Sequence, residues 1–285
     1  MNQPSTPFSP PSDEKHKEKD RDSHSEDILA LVRGLSVLRR IAAANAPLSN
    51  RELAEQTSIP KPTVSRITAT LVHAGFLFRL PDTEHFALAA SVLELSNGFL
   101  RNLDIRTRAR PFLMELAETT ALSVHLAVRD RLEMVVIDTL RPRSAALVSR
   151  LDVGSRMPLC RTAVGRVYLG ALSASERQIL LASLQAAAGG EWAGVCEQLE
   201  HALHTIQTEG FAISAGEWHE GLNAIAAGFS GPSGEHYAVS CDGPAQPCTR
   251  EWLASRAAPA LLACMSRIAE EIGGKPGQYS PSLPL

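Results

Sequence analysis

Between Lys61 and Arg79 the chain gathers Lys61, Thr63, Ser65, Arg66, Thr70 and Arg79, hydroxyl and cationic side chains that share the ability to donate hydrogen bonds. Thr63, Arg66, Thr70 and His73 recur every three or four residues, so at about 100° per residue they occupy one side of a helix, with Ser65 at its edge. A side that is polar but only modestly charged suits the base edges of a DNA major groove. One good bidentate contact there is worth about 1–3 kcal/mol of discrimination. Lys61 and Arg79 stand at the margins, where phosphate contacts fix register without reading sequence.

The elements that must hold these residues are legible around them. Ser49-Asn50-Arg51-Glu52 has the form of a capping box, in which the Ser hydroxyl and the Glu carboxylate satisfy reciprocal backbone N–H groups, so a helix starts near Asn50. Leu53, Ala54 and Ile59 form its buried side. Ser58-Ile59-Pro60 ends it, because the residue before a proline is pushed out of the α region. Pro62 fits the first turn of the next helix, where its missing N–H costs nothing, and Val64, Ile67, Leu71 and Val72 form the inner face. Gly75 supplies the left-handed stop. Phe76–Leu80 and His85–Leu88 flank the turn-rich Pro81-Asp82-Thr83-Glu84, which predicts a two-stranded wing. The whole stretch reads as a winged helix-turn-helix.

Composition narrows the rest. A chain of 285 residues with 44% hydrophobic residues is long enough for two cored domains. The longest apolar runs fall short of the roughly 20 residues of a membrane span, and no signal-peptide core is visible, so a cytoplasmic protein with no membrane partner is expected. Five cysteines without a C-x-x-C pair argue for reduced thiols. Cys196, His201 and His204 are polar positions along one amphipathic helix, and neither a metal nor a cofactor is expected. The net charge of −3 leaves the DNA face free to differ from the average.

Residues 1–25 are Pro/Ser-rich and then densely charged, and are expected to be disordered. Leu31, Leu35, Leu38, Ile41 and Ala42 form a stripe that would pack behind the helix-turn-helix, closing a domain over 26–88. A linker helix follows over 89–103, with Val92, Leu93, Leu95 and Phe99 apolar. From Leu122 the period shifts toward two in SVHLAV, EMVVIDTL and SAALVSRL, and mixed strands and helices run to a last helix around Trp252–Ile272. This second, α/β domain spans 104–274, and 275–285 read as a flexible tail. The fold class is α+β.

The chain resembles the isocitrate lyase regulator (IclR) type of bacterial transcription regulator. The resemblance is carried by RGLSVL from Arg33, LAEQTSIPKPTVSRITATLVHAGF, FALAASVLELS, ARPFLMELAETT, GSRMPLCRTAVGRVYLGAL and GFAISAGEWHEGLNAIAAGF. It implies an N-terminal winged helix-turn-helix, a linker helix and a C-terminal GAF-like domain that binds a small effector. It also implies a dimer or tetramer acting on operator DNA.

The effector site can be read from residues as well. Pro158–Gly165 looks like the opening of a helix, and the free N–H groups of Thr162, Ala163 and Val164 suit a carboxylate. The resemblance places the effector against this start, against the segment 212–226, including Ser214, Glu217 and Ala224, and against the strand 239–244. There Ser240 and Asp242 share a face. Arg161 and Asp242 depart from expectation, standing where a small or neutral residue and a hydroxyl residue are usual. The pocket is expected to take an organic or aromatic acid, or a different ligand.

Plainer roles stand beside these. His125 suits a hydrogen-bonded structural histidine, Thr162 a helix cap, Glu217 and Trp218 a loop, and Gly154, Gly165 and Gly221 backbone constraints. Cys160 and Cys241 could be core residues or a thiol sensor. Ser240, Asp242 and His125 could be imagined as a hydrolytic set, but no G-x-S-x-G turn, Walker loop or H-E-x-x-H helix accompanies them, and no catalytic residue is assigned. A winged helix can also serve as a protein-docking adaptor.

Overall fold

In the computed structural model, residues 28–142 and 151–279 are described, and they divide into two units between Phe99 and Leu100. The first unit is built from α1 (Leu29–Ala42), β1 (Leu48–Ser49), α2 (Asn50–Thr57), α3 (Lys61–His73), β2 (Leu77–Arg79) and β3 (His85–Leu88), and α4 (Val92–Arg101) leads out of it. Its sheet runs β1-β3-β2, all antiparallel, so the wing is backed by a third short strand just before the capping box. Val37, Ile41, Leu53, Ile59, Val64, Leu77 and Phe86 meet in one core.

Two apolar stripes sit differently from the sequence expectation. On α1, Val37 and Ile41 are buried with Leu38 against them, whereas Leu31, Leu35 and Ala42 are exposed. The first two turns extend beyond the core that the stripe predicts they cover. On α3, Val72 is exposed and Thr68 takes the inner position. Thr68 lies four residues after Val64 and so 40° from it, and Val72 twice as far round. α4 buries none of its side chains, leaving Leu93, Leu95 and Phe99 exposed.

The second unit is a sheet covered on both faces. Its elements are α5 (Asp104–Thr120), β4 (Ser123–Asp130), β5 (Glu133–Leu140), β6 (Arg156–Pro158), α6 (Ala163–Ala171), α7 (Ala174–Ala188), α8 (Trp192–Glu209), β7 (Ala212–Ala215), β8 (Leu222–Ser230) and β9 (His236–Pro244). A helical run through α9 (Arg250–Trp252) and the π-helical Leu253–Ala257 leads into α10 (Ala258–Ile272), and β10 (Lys275–Pro276) ends the unit. The strands run β10-β8-β9-β4-β5-β6, with β7 also on β8, every pairing antiparallel. Strand alternation assigns the faces. Ile225, Ala227, Val239 and Cys241 point to a core with α5 and α10. Ala226 and Ala238 point to a second core with α6, α7 and α8. Ser240 and Asp242 share the latter side by parity.

The strands read from SVHLAV and EMVVIDTL are β4 and β5. SAALVSRL lies almost wholly outside the described residues, as do the N-terminal stretch 1–25 and 280–285. Instead of a tail from 275, Lys275 and Pro276 pair with Ser230 and Phe229 as an edge strand. The Tyr279 hydroxyl accepts from Gly228 N–H at 3.1 Å and donates to the Gly210 carbonyl at 3.2 Å, which holds this segment down. By length and composition the helical run Ala174–Glu209 could cross a membrane, contrary to the sequence expectation. It is broken by a 3-10 turn at Gly189–Glu191, and Leu181, Leu184, Val195, Leu199, Leu203 and Ile206 bury its apolar side in the second core.

Candidate nucleic-acid interface and ligand pocket

α2 begins where Ser49 Oγ accepts the Glu52 N–H at 3.3 Å and Glu52 Oε2 accepts the Ser49 N–H at 2.8 Å. The Ser49 N–H, and then the Ser49 hydroxyl that donates to the same oxygen at 2.7 Å, hold the Glu52 carboxyl below its ordinary range. The helix stops at Ser58, whose φ of 56° is left-handed, and after Pro60 the chain turns directly into α3. Thr68 Oγ1 donates to Asn50 Oδ1 at 2.9 Å, so a buried hydroxyl ties α3 to the first residue of α2. A threonine on an apolar stripe gives no signal of this in sequence.

On α3, Lys61, Arg66 and Thr70 are exposed, and Thr63 and Ser65 are half-buried. Thr70 Oγ1 donates to the Arg66 carbonyl at 2.9 Å, leaving its lone pairs outward. Thr63, Arg66 and Thr70 also wall a groove of about 630 Å³ whose other side is the first turns of α1. Arg79 is less free than its assignment to a phosphate supposes. Its Nε donates to the Thr83 carbonyl at 3.1 Å and its Nη2 lies 2.5 Å from Glu84 Oε1, so the guanidinium is engaged across its own wing.

In the second unit, Thr162, Ala163 and Val164 from the start of α6, Ser214 from β7, Ala224 from β8, and Ser240 and Asp242 from β9 line one cavity. The register explains it: Ser214 pairs with Ala224, and Ala224 with Asp242, so three neighbouring strands point small or polar residues at one place. Leu151, Met157, Trp218, His219 and Leu222 complete the wall; the last three fall in the segment 212–226 that the resemblance implies, whereas Leu151 and Met157 are not assigned from sequence. The free volume is about 20 Å³, roughly one water. A larger ligand needs a wall to yield. Trp218 and His219 sit between Gly216 and Gly221, both at positive φ, 69° and 79°.

The start of α6 is tightly built. Thr162 Oγ1 donates to the Pro158 carbonyl at 2.7 Å and accepts from Gly165 N–H at 3.2 Å, so the residue is a helix cap. The N–H groups of Ala163 and Val164 have no partner among the described residues. Gly165 is required: a Cβ there would meet the Leu159 carbonyl carbon at 2.6 Å, with its oxygen and Cα closer still.

Arg161 and Glu217 do not line this cavity. Arg161 turns outward to Glu191, with Nη2 to Oε2 at 2.6 Å, and contributes its carbonyl to Ser214 Oγ at 3.0 Å. Glu217 pairs with Arg166, which is 2% exposed inside α6, and it receives the Ala215 N–H at 3.4 Å. Arg166 Nε also donates to the Cys160 carbonyl at 2.9 Å. The pair is a strut between α6 and the loop after β7. Sequence could not find it, because Arg166 falls within an apolar helix and its partner is 51 residues away.

His125 is fully buried. Its Nδ1 lies 3.1 Å from Thr139 Oγ1, and its Nε2 approaches Asp242 Oδ1 to 2.8 Å but off the line of a hydrogen bond. Burial pushes the Cys160 thiol up to about 11 and the Cys241 thiol well above its ordinary value, so neither carries thiolate chemistry at neutral pH.

Comparison with known proteins agrees with both units. Residues 30–81 match the family described as the IclR helix-turn-helix domain, and 97–270 match the bacterial transcriptional regulator IclR C-terminal family. The chain is 31% identical over 246 residues to the HTH-type transcriptional regulator TsaQ1/TsaQ2 of Comamonas testosteroni, covering 85% of this chain and 88% of that one. The crystal structure of an IclR family transcriptional regulator from Brucella abortus superimposes with a TM-score of 0.75 at 34% identity, over 85% of this chain and 91% of that one. An IclR homolog from Microbacterium hydrocarbonoxydans complexed with 4-hydroxybenzoate shares the fold at 19% identity, with a TM-score of 0.68 over 86% and 99% of the two chains. With a helix-turn-helix in one unit, a small cavity in the other and both family matches in order along the chain, this protein belongs to the IclR family of DNA-binding bacterial transcriptional regulators.

Proposed function

We propose that this cytoplasmic regulator binds a near-palindromic operator as a dimer or a pair of dimers, and that a small organic acid in the cavity of its GAF-like second unit controls that binding. α3 enters the major groove, with Thr63, Ser65, Arg66 and Thr70 toward base edges and Lys61 toward phosphate. Half-sites then lie about 34–36 Å apart or at a multiple of that spacing. Arg79 reaches phosphate by exchanging Glu84 for it. The effector acid lies at the start of α6 and favours one arrangement of the two DNA-binding units through α4, with a coupling of about 1–3 kcal/mol. The observation that carries the ligand half is the convergence of Thr162–Val164, Ser214, Ala224, Ser240 and Asp242, from separate segments, on one cavity beside N–H groups that have no partner among the described residues.

Selection from fragmented genomic DNA at physiological salt, where non-specific phosphate binding is weakened, tests the DNA half. A few enriched fragments sharing a palindrome are expected. Arg66→Ala should relax preference at one operator position by about 1–3 kcal/mol, whereas Lys61→Ala should weaken all sequences alike. Folded protein that retains no fragment, with or without small acids, would favour the adaptor reading.

A further inference from the structure

Thr68 stands out on the inner face of α3, because its neighbours there, Val64, Ile67 and Leu71, are apolar. It is 1% exposed, and its Oγ1 lies 2.9 Å from Asn50 Oδ1 and 3.2 Å from the Ser65 carbonyl. The two acceptors differ in what they hold. Ser65 moves with α3 and cannot fix it, whereas Asn50 belongs to α2. Asn50 is itself held in place by its surroundings. It follows β1, whose Ser49 pairs with His85 of the wing strand β3, and it lies within the capping box that Ser49 closes with Glu52. The bond from Thr68 therefore joins α3, near its middle, to the point where the wing sheet runs into α2.

Arg66 and Thr70 stand two residues to either side of Thr68, so at about 100° per residue each projects about 160° round the helix from it. Behind these two side chains there is thus one directional bond among apolar contacts. Apolar packing is non-directional and tolerates a small rotation of α3, whereas a hydrogen bond prefers an angle above about 150° and resists it. The rotation matters because a side-chain tip about 6 Å from the helix axis moves by about 1 Å for a turn of about 10°. That displacement exceeds the spread of about 0.5 Å in normal hydrogen-bond lengths, so a base contact would be lost. We infer that Thr68 and Asn50 are positioning residues for DNA recognition, locking the rotation of α3 against α2 and the wing, a role that rests on the reading of α3 as the base-reading helix. Thr68, being buried, acts only through the helix that carries it.

The test uses the full chain, a fragment retained in the genomic selection and a scrambled duplex of the same length, and reads the ratio of the two dissociation constants. Thr68→Val keeps the shape and removes the hydroxyl, and the ratio should fall about fivefold or more, the scale of one base contact. Thr68→Ser keeps the bond and should keep most of the ratio. Asn50→Ala removes the acceptor from a half-buried position, should lower the ratio as far, and decides the matter if Thr68→Val does not fold. Both substitutions together should cost no more than either alone, because the same bond is lost in all three variants. The salt dependence of binding to the scrambled duplex should not change, since no phosphate contact is removed. A lower melting temperature with an unchanged ratio would mark a merely structural bond and overturn the role. Additive losses would overturn it too, as would a flatter salt slope, the sign of a lost phosphate contact. Retention of no fragment by the folded wild-type chain overturns the DNA reading and this role together, whereas an unchanged ratio overturns this role alone.

Discussion

Replacing Gly165 with alanine should destabilise the second unit by an amount that the packing of α6 allows to be worked out. Helix preference alone favours the change by about 1 kcal/mol. Against this, the new Cβ would lie 2.6 Å from the Leu159 carbonyl carbon, and the atoms it meets are all backbone, so the helix start or the Met157–Cys160 segment must move. Overpacking of that kind costs about 1–3 kcal/mol. The shift also stretches the Gly165 N–H to Thr162 Oγ1 bond of 3.2 Å, a cap worth about 1 kcal/mol. The net loss is about 1–3 kcal/mol, which in a unit of this size lowers the melting temperature by about 2–12 °C. Gly194, inside α8 with nothing within 4 Å of the place a methyl would take, is the control, and alanine there should gain up to about 1 kcal/mol. Trp192, Trp218 and Trp252 are the chain's three tryptophans and all lie in the second unit, so fluorescence-detected melting follows that unit alone. If Gly165→Ala melts with or above Gly194→Ala, the close approach of α6 to Leu159 is not what fixes the start of α6.

Three further outcomes are expected. Glu84→Gln frees Arg79 from its wing partner, so non-specific DNA affinity should rise and the log–log salt slope should steepen by about 1 in a salt series of gel shifts. Glu217→Leu leaves the Arg166 guanidinium buried without its counter-ion and should cost about 3 kcal/mol in urea unfolding, with Arg166→Met in the same chain restoring part of it. Burial raises the Cys160 thiol from 9.0 to about 11 and the Cys264 thiol to about 12. The unfolded chain releases these protons first, so the stability they contribute is whole below about pH 9 and declines as pH climbs toward 11 and 12. Unfolding midpoints measured from about pH 8 to 11 should therefore fall, and the fall should diminish in Cys160→Ala.

What the sequence reveals about this molecule follows the range of the interaction. Both capping boxes are closed within four residues, Ser49 with Glu52 and Ser173 with Glu176, and the one in the DNA-binding unit is legible directly, boundary included. β4 and β5, each lying between two cores, announce themselves as short apolar runs rich in valine, and the pocket residues on β9 follow from strand parity. Thr68 escapes the pattern because its burial is licensed by Asn50, 18 residues earlier, and β10 because its partner strand ends 45 residues before it begins.

The two arginines near α6 make the same point about the site. Arg161 draws notice as an unusual residue beside the pocket, yet it precedes the helix and reaches out to Glu191, while Arg166, one turn into the helix, is the buried one. Local pattern marks both as polar and cannot say which will find an acid. The acid that decides it, Glu217, also holds the Ala215 N–H and stands next to Trp218 in the cavity wall. The loop beside the cavity is therefore fastened to the helix at whose start we propose that the effector's carboxylate binds. If the loop moves on effector binding as proposed, weakening the Arg166–Glu217 pair should make the cavity easier to occupy even as it makes the unit less stable.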